Sequence, residues 1–219
     1  MPIDYEAEYN NRARVPEHPE IFARWAREAE DYRAEAMKER RAELGLSYGS
    51  SLRQFIDLFS PRGAITAPLA LFIHGGYWRS LDPSLFSQVA RGLNAHGVAV
   101  AVVGYDLCPE VTIAEIIEQI RHACLFLWLR TSQRMMIYGH SAGGHLAGAL
   151  ESSEFLRQSR TLAEQWGTAG VQTRYEAIAG TNHFTVIDGL ADPQNAMVAR
   201  LAELASRPEM TGASAKRGG

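Results

Sequence analysis

MMIYGHSAG, at residues 135–143, is the most informative stretch of the chain. Its first four residues form an apolar run of buried-strand length, and the last five fit the G-x-S-x-G pattern. In that pattern a strand leads through a tight turn into a helix, and the serine at the turn has a positive φ. Bulky side chains two residues before and after the serine would clash, and Gly139 and Gly143 avoid this. We therefore predict that Ser141 is a catalytic nucleophile.

Strand and helix signals alternate on the amino-terminal side of this stretch. Apolar runs at 68–73 and 97–103 predict two more buried strands, and residues 51–59 have a strand-like composition. Residues 83–95 and 112–129 carry apolar side chains at helical spacing, and the second segment starts with a Thr-x-x-Glu capping pattern. This order predicts an α/β fold with a mostly parallel sheet between layers of helices.

The remaining segments extend this plan in both directions. Residues 16–44 are rich in Ala, Glu and Arg and predict a long charged helix outside the core, so we assign 1–45 to an amino-terminal helical arm. Residues 46–210 are predicted to form one α/β domain whose last strand lies at 171–179. Residues 211–219 are predicted to be a flexible tail.

A second motif, HGGYW at 74–78, follows the predicted strand 68–73. Open parallel sheets bind their ligands at this carboxyl edge. Two consecutive glycines let backbone N–H groups approach a developing oxyanion, and the N–H after the nucleophile would add another donor. We predict an oxyanion hole formed by Gly75, Gly76 and Ala142; a plain turn beside a packed Trp is the alternative.

Seven histidines compete for the role of the base that takes the Ser141 proton. His183 is favoured because it lies in a loop after the predicted strand 171–179, and because Ser precedes His in hydrolases with this turn. A surface-loop histidine is the alternative. His140 and His145 flank the nucleophile and are expected to point elsewhere. No two histidines have H-x-x-x-H spacing beside an acid, so we predict no metal site.

Composition and charge narrow the classes of protein further. The 219 residues are 46% hydrophobic and 21% charged, with 22 basic and 25 acidic side chains, as in a single globular domain. The absence of a basic patch argues against nucleic-acid binding, and the apolar runs are shorter than the roughly 18–20 residues of a membrane span. The acidic amino terminus predicts no export signal and a cytoplasmic location, where Cys108 and Cys124 would stay thiols.

Six stretches together resemble the kynurenine formamidase (arylformamidase) branch of the α/β-hydrolases. They are YNNR 9–12, FIHGGYWR 72–79, YDLCP 105–109, GHSAGGHLA 139–147, ESSEFLRQS 151–159 and TNHF 181–184. The HGGYW form is more specific than the HGGG of general esterases. The resemblance implies Ser141 as nucleophile, His183 as base, and Glu151 at the position of the family's triad Asp.

The same resemblance implies a substrate and a reaction. The reaction would be hydrolysis of N-formylkynurenine to kynurenine and formate, without a cofactor. Tyr77 and Trp78 are candidate walls for the aromatic ring, with core packing as the alternative. A general carboxylesterase of the hormone-sensitive-lipase type and a catalytically inactive binding protein are the rival functions. The oligomeric state is left open.

The chain departs from that family after the nucleophile. Glu151 lies ten residues beyond Ser141, where this fold ordinarily places two further strands and helices, so an internal piece is expected to be missing. Apolar spacing over 142–166 predicts one fused helix. Such a helix would carry Glu151 about 15 Å from the turn, beyond contact with an imidazole. We predict a Ser141–His183 dyad with weak catalysis.

Overall fold

The computed structural model describes residues 4, 9–64, 66–147 and 176–207. Its strands form one sheet in the order β1-β2-β4-β3-β5. They are β1 (Ala42–Ser47), β2 (Phe55–Phe59), β3 (Leu69–Ile73), β4 (Ala99–Val103) and β5 (Met135–Gly139). β3 pairs in parallel with β4 and β5, whereas β2 is antiparallel to both of its neighbours. The predicted mostly parallel α/β sheet is confirmed.

Helices cover both faces of this sheet. They are α1 (Asn11–Arg14), α2 (His18–Lys38), α3 (Ala90–Ala95), α4 (Ile113–Thr131), α5 (Ala142–Ala147) and α6 (Ala196–Ala205), with 3₁₀ helices at Pro83–Val89 and Thr185–Ala191. The predicted capping box of α4 is present, because Thr112 and Glu115 bond each other's backbone N–H groups. The single helix predicted at 83–95 is instead a 3₁₀ helix followed by α3. Among the described residues, no helix is both long and apolar enough to span a membrane.

Two apolar clusters form the core, one on each face of the sheet. Alternate residues of β3 enter different clusters: Ala70 and Phe72 face α2 and α3, while Leu71 and Ile73 face α4. A strand covered on both faces is apolar throughout, which explains the uninterrupted runs in the sequence. β5 is less buried than predicted, since Ile137 is 44% exposed on this outermost strand of the described sheet.

The amino-terminal helix differs from its prediction in length and in place. α2 ends at Lys38, and the following residues form β1, so residue 45 lies inside a sheet strand. The placement outside the core is wrong, because α2 packs against the sheet through an apolar stripe. That stripe recurs every three or four residues and was hidden among charged side chains. Its buried members are Ile21, Trp25, Ala29, Tyr32 and Ala36.

Three other predictions concern the carboxyl-terminal part of the chain. Residues 176–179 form no strand, in keeping with the low strand propensity of Glu and Ala at three of these four positions. The rest of the predicted strand, residues 171–175, lies outside the described residues. So do the predicted helix beyond Ala147, Glu151 within it, and the tail 211–219.

Candidate active site

The turn between β5 and α5 carries Ser141 in a left-handed backbone conformation, with φ of +54°. Both glycines of the motif are sterically required there. A Cβ added at Gly139 would lie 2.4 Å from the Gly143 carbonyl oxygen, and one added at Gly143 would lie 2.0 Å from the Ile73 carbonyl oxygen. The turn thus has the tight geometry expected from the sequence, and it holds Ser141 at the carboxyl edge of the sheet.

Ser141 and His183 are brought together by the fold. The Ser141 Oγ lies 2.9 Å from Nε2 of His183, within hydrogen-bond distance. An Nε2 that accepts this bond belongs to a neutral ring with its proton on Nδ1, which is the form a general base requires. The loop around His183 is fixed locally, because the Asn182 side chain accepts from the N–H groups of Phe184 and Thr185, each at 2.9 Å.

Helix α2 holds this base loop from outside, a contact that the sequence reasoning missed. Phe184 packs edge-on against Phe22, with 5.2 Å between ring centroids. Asp188 accepts from Nε1 of Trp25 at 2.8 Å and pairs with the Arg24 guanidinium at 2.6 Å. The signal that could have revealed it is the pair of aromatic residues on one side of α2.

His140 also contacts the base loop, contrary to the expectation that it points elsewhere. Its buried ring donates from Nε2 to the carbonyl oxygen of His183 at 2.6 Å and lies edge-on to Trp25. The turn at Ser141 directs the preceding side chain toward α2 and the base loop. His145, on the other flank, instead packs against Trp78.

The backbone of the HGGYW loop lies against the nucleophile. A Cβ on Gly75 would be 2.9 Å from the Ser141 Cβ. The buried His74 ring stacks on Tyr105 and donates from Nδ1 to the Gly75 carbonyl oxygen at 2.7 Å. Since a peptide N–H points opposite to its carbonyl, this bond turns the Gly76 N–H away from His74. Gly75 thus lies beside Ser141, and Ala142 contributes an N–H at the start of α5, while the role of Gly75, Gly76 and Ala142 as oxyanion donors stays a prediction.

A cavity of about 800 Å³ opens in front of Ser141. Tyr77 lines it, as the resemblance suggested, and so does the stretch Tyr9–Arg12. Trp78 does not: it packs against the apolar cluster that contains Leu71 and Ile73, so the core-packing alternative holds for this residue. The other side chains that line the cavity include aromatic, sulfur-containing, apolar and charged ones. They include Phe22, Trp25, Arg79, Leu107, Cys108, Glu110 and Phe184.

Three histidines around the site are held neutral by burial. Burial, with smaller contributions from nearby His140 and Arg14, lowers the pKa of His183 to about 3. Burial likewise lowers the pKa of His74 and of His140 to about 4 each. At neutral pH His183 therefore carries no charge and can accept a proton from Ser141.

This burial predicts an unusual pH profile. Activity needs neutral His183, so the acid limb of the pH–activity profile should lie well below pH 6.5, the ordinary pKa of imidazole. We expect kcat/KM at pH 5.5 to stay above half of its value at pH 7.5, whereas an unperturbed imidazole would be only about one-tenth neutral there. An acid limb at 6.5 or above would contradict this prediction.

Circular dichroism at each pH is the control for that profile. Below pH 6.5 the unfolded chain binds protons that buried His74, His140 and His183 do not accept, so the free energy of unfolding falls as the pH is lowered. Loss of activity that coincides with loss of ellipticity would report unfolding and not titration of the base.

Glu151 lies outside the described residues, so its distance to His183 stays a prediction. The described part of the chain contains no group of three or more side chains that could hold a metal ion. What the described residues do bring together is a hydroxyl, an imidazole and a glycine loop at one edge of the sheet. This arrangement can form and break an acyl-serine ester.

Comparisons with known proteins agree with this chemistry. The BD-FAE family model matches residues 56–190. Kynurenine formamidase from Drosophila melanogaster is 38% identical over 106 residues, which cover 46% of this chain and 35% of that protein. The Salmo salar kynurenine formamidase is 31% identical over 121 residues, or 54% and 41% of the two chains. The matches thus span about two-fifths or less of the length of these curated relatives. They confirm the predicted resemblance to kynurenine formamidases.

A solved structure extends the similarity to nearly the whole chain. The crystal structure of a candidate thioesterase from Silicibacter sp. TM1040 superposes with a TM-score of 0.80 at 28% identity. The superposition covers 90% of this chain and 98% of that chain. Together with the sheet order, these relatives establish an α/β-hydrolase fold, and the partial coverage of the formamidases fits a shortened form of it.

Proposed function

Because the chain belongs to the BD-FAE family, we propose that it is a serine hydrolase that cleaves a small acyl amide or ester, with N-formylkynurenine as the preferred substrate. The observation that carries this proposal is the 2.9 Å hydrogen bond between Ser141 Oγ and His183 Nε2. It lies at a cavity of about 800 Å³, within the size range of small-molecule sites.

The proposed reaction uses the two side chains in turn. Ser141 Oγ attacks the formyl carbonyl carbon while His183 Nε2 takes the hydroxyl proton. Backbone N–H groups of Gly75, Gly76 and Ala142 stabilise the negative oxygen of the tetrahedral intermediate. His183 then gives its proton to the departing arylamine nitrogen. A water molecule, deprotonated by His183, cleaves the formyl ester, so that formate leaves and Ser141 is regenerated. No cofactor takes part.

The preference for a formyl arylamine rests on the formamidase relatives and on the cavity wall. Tyr77, Phe22 and Phe184 present aromatic surface to the cavity and could pack against an aryl ring. Arg79 and Glu110 also line the cavity and carry opposite charges, so a zwitterionic amino-acid group could pair with both. These features support an aromatic amino-acid amide over a simple aliphatic ester.

We expect kcat/KM for N-formylkynurenine to be well above that for p-nitrophenyl acetate. Both values can be measured by absorbance on the same preparation, and the Ser141→Ala protein gives the background rate for each substrate. The reverse ranking would favour an esterase.

That esterase is the second candidate function. It is favoured by the Silicibacter relative, whose description as a candidate thioesterase implies ester-type chemistry and whose chain is matched over 98% of its length. A third possibility, an inactive binding protein, predicts that a serine-directed phosphonate probe leaves Ser141 unlabelled. Labelling requires an activated hydroxyl and an intact glycine loop. The cytoplasmic location stays a prediction from the sequence.

A further inference from the structure

We propose that His140, the residue before the nucleophile, positions the base of the proposed hydrolase, so that this inference rests on the proposed function. Its ring donates from Nε2 to the carbonyl oxygen of His183 at 2.6 Å. That carbonyl is bonded to the same Cα that bears the His183 side chain. The hydrogen bond therefore restrains the base itself and not merely the loop around it.

The surroundings of His140 fix its protonation. A carbonyl oxygen only accepts, so the ring proton lies on Nε2. Nδ1 is buried and has no hydrogen-bond partner among the described residues, as suits an unprotonated nitrogen in an apolar place. His183 needs the opposite tautomer, because its Nε2 accepts from Ser141. The proposed roles therefore require opposite tautomers on two rings whose centroids are 5.2 Å apart.

His140 also spans the site from one side to the other. Its Nδ1 is 3.3 Å from where a Cβ on Gly75 would lie, so the ring fills the space between the glycine loop and the base loop. The Trp25 ring lies edge-on to the His140 ring, with 6.2 Å between the two centroids. A side chain in this place can keep the distance between nucleophile, base and oxyanion donors constant.

Two other contacts anchor the base loop near His183. Asn182 caps the turn of Phe184 and Thr185, and Asp188 is held by α2 several residues later. The Phe184 N–H belongs to the same peptide unit as the His183 carbonyl, so Asn182 holds the N–H side of this peptide and His140 holds its carbonyl side. Loss of the His140 bond frees the carbonyl side of this peptide, so we expect the imidazole to shift against Ser141 while Asn182 and Asp188 keep the loop docked. A shift of about 1 Å lowers the rate about 10²-fold.

A matched pair of substitutions tests this role. In His140→Gln the side-chain amide can still donate to the carbonyl of His183, whereas His140→Leu fills similar space without a donor. We expect His140→Leu to lower kcat about 10²-fold with KM little changed, and His140→Gln to restore it to within about tenfold of the parent. His145→Leu, on the other flank of the nucleophile, should leave kcat unchanged.

Two further measurements separate this proposal from the proposed function. The rate of Ser141 labelling by the phosphonate probe needs no substrate, and it should fall in His140→Leu and recover in His140→Gln even if N-formylkynurenine is not hydrolysed. Equal losses in both variants, or an unchanged His140→Leu, would overturn the positioning role. ¹⁵N NMR of the full chain reads the tautomer directly. If wild-type Ser141 does not react with the probe at all, the proposed function fails. The NMR result then decides the positioning role alone: a His140 ring protonated on Nε2 supports its bond to the His183 carbonyl, and a ring protonated on Nδ1 overturns it.

Discussion

Replacing Ser141 by alanine should lower kcat about 10⁶-fold and leave the fold intact. The substitution removes one hydroxyl from a turn whose backbone is set by Gly139 and Gly143, so no packing is lost. Hydrolysis of N-formylkynurenine and of p-nitrophenyl acetate should be measured together with the thermal midpoint. A residual rate above about one part in a thousand of the parent would show that another group is the nucleophile.

The next prediction concerns replacement of the base, His183. His183→Ala should be about as severe as Ser141→Ala, because the Ser141 hydroxyl lies against His183 Nε2 and needs that imidazole to take its proton. Nucleophile and base act as one unit, so the double variant should be scarcely slower than either single one. Additive losses would mean that the two side chains act in separate steps.

Gly143→Ala should abolish hydrolysis by moving the turn itself. The added Cβ would lie 2.0 Å from the Ile73 carbonyl oxygen and 2.5 Å from that of His74, far inside contact distance. Both neighbours are backbone, so relief requires the nucleophile turn to move away from the HGGYW loop. Displacing the hydroxyl costs about 10²-fold and losing an oxyanion donor about 10²–10³-fold, so we expect a loss of about 10⁴-fold or more.

Gly63→Ala is the matched control for that substitution. Gly63 has φ of +71° but open space where a Cβ would lie. Its replacement should cost about 1–2 kcal/mol of stability from backbone strain alone and leave kcat unchanged. If Gly143→Ala keeps the parent kcat, the close approach between turn and loop is not required for the reaction.

The features that the sequence predicts well are those with local causes. The strand–turn–helix around Ser141 follows from an apolar run beside two glycines, and the start of α4 follows from the Thr112–Glu115 pair. His183 could be placed in the site because chain order and a loop position were enough to select it. For the turn and the helix start, the deciding residues lie within a few positions of one another, whereas the selection of His183 used its place after Ser141 in the chain.

The features that the sequence did not predict depend on distant partners. The direction of the His140 ring is set by a carbonyl 43 residues away. The sequence predicts α2 outside the core because its charged residues outnumber the stripe that contains Trp25. Tyr77 and Trp78 are adjacent aromatics, and only the fold shows that one lines the cavity while the other packs against the sheet.

The contact between α2 and Asp188 also sets an order of events during protein synthesis. Arg24 and Trp25 are separated from Asp188 by 164 and 163 positions. At about 5–20 residues per second, a ribosome needs roughly ten to thirty seconds to make that interval. During this time the loop that bonds Trp25 has not been made, so Nε1 of Trp25 and the Arg24 guanidinium lack their Asp188 partner in the nascent chain. The hydrolytic site is therefore completed only after translation has passed Asp188.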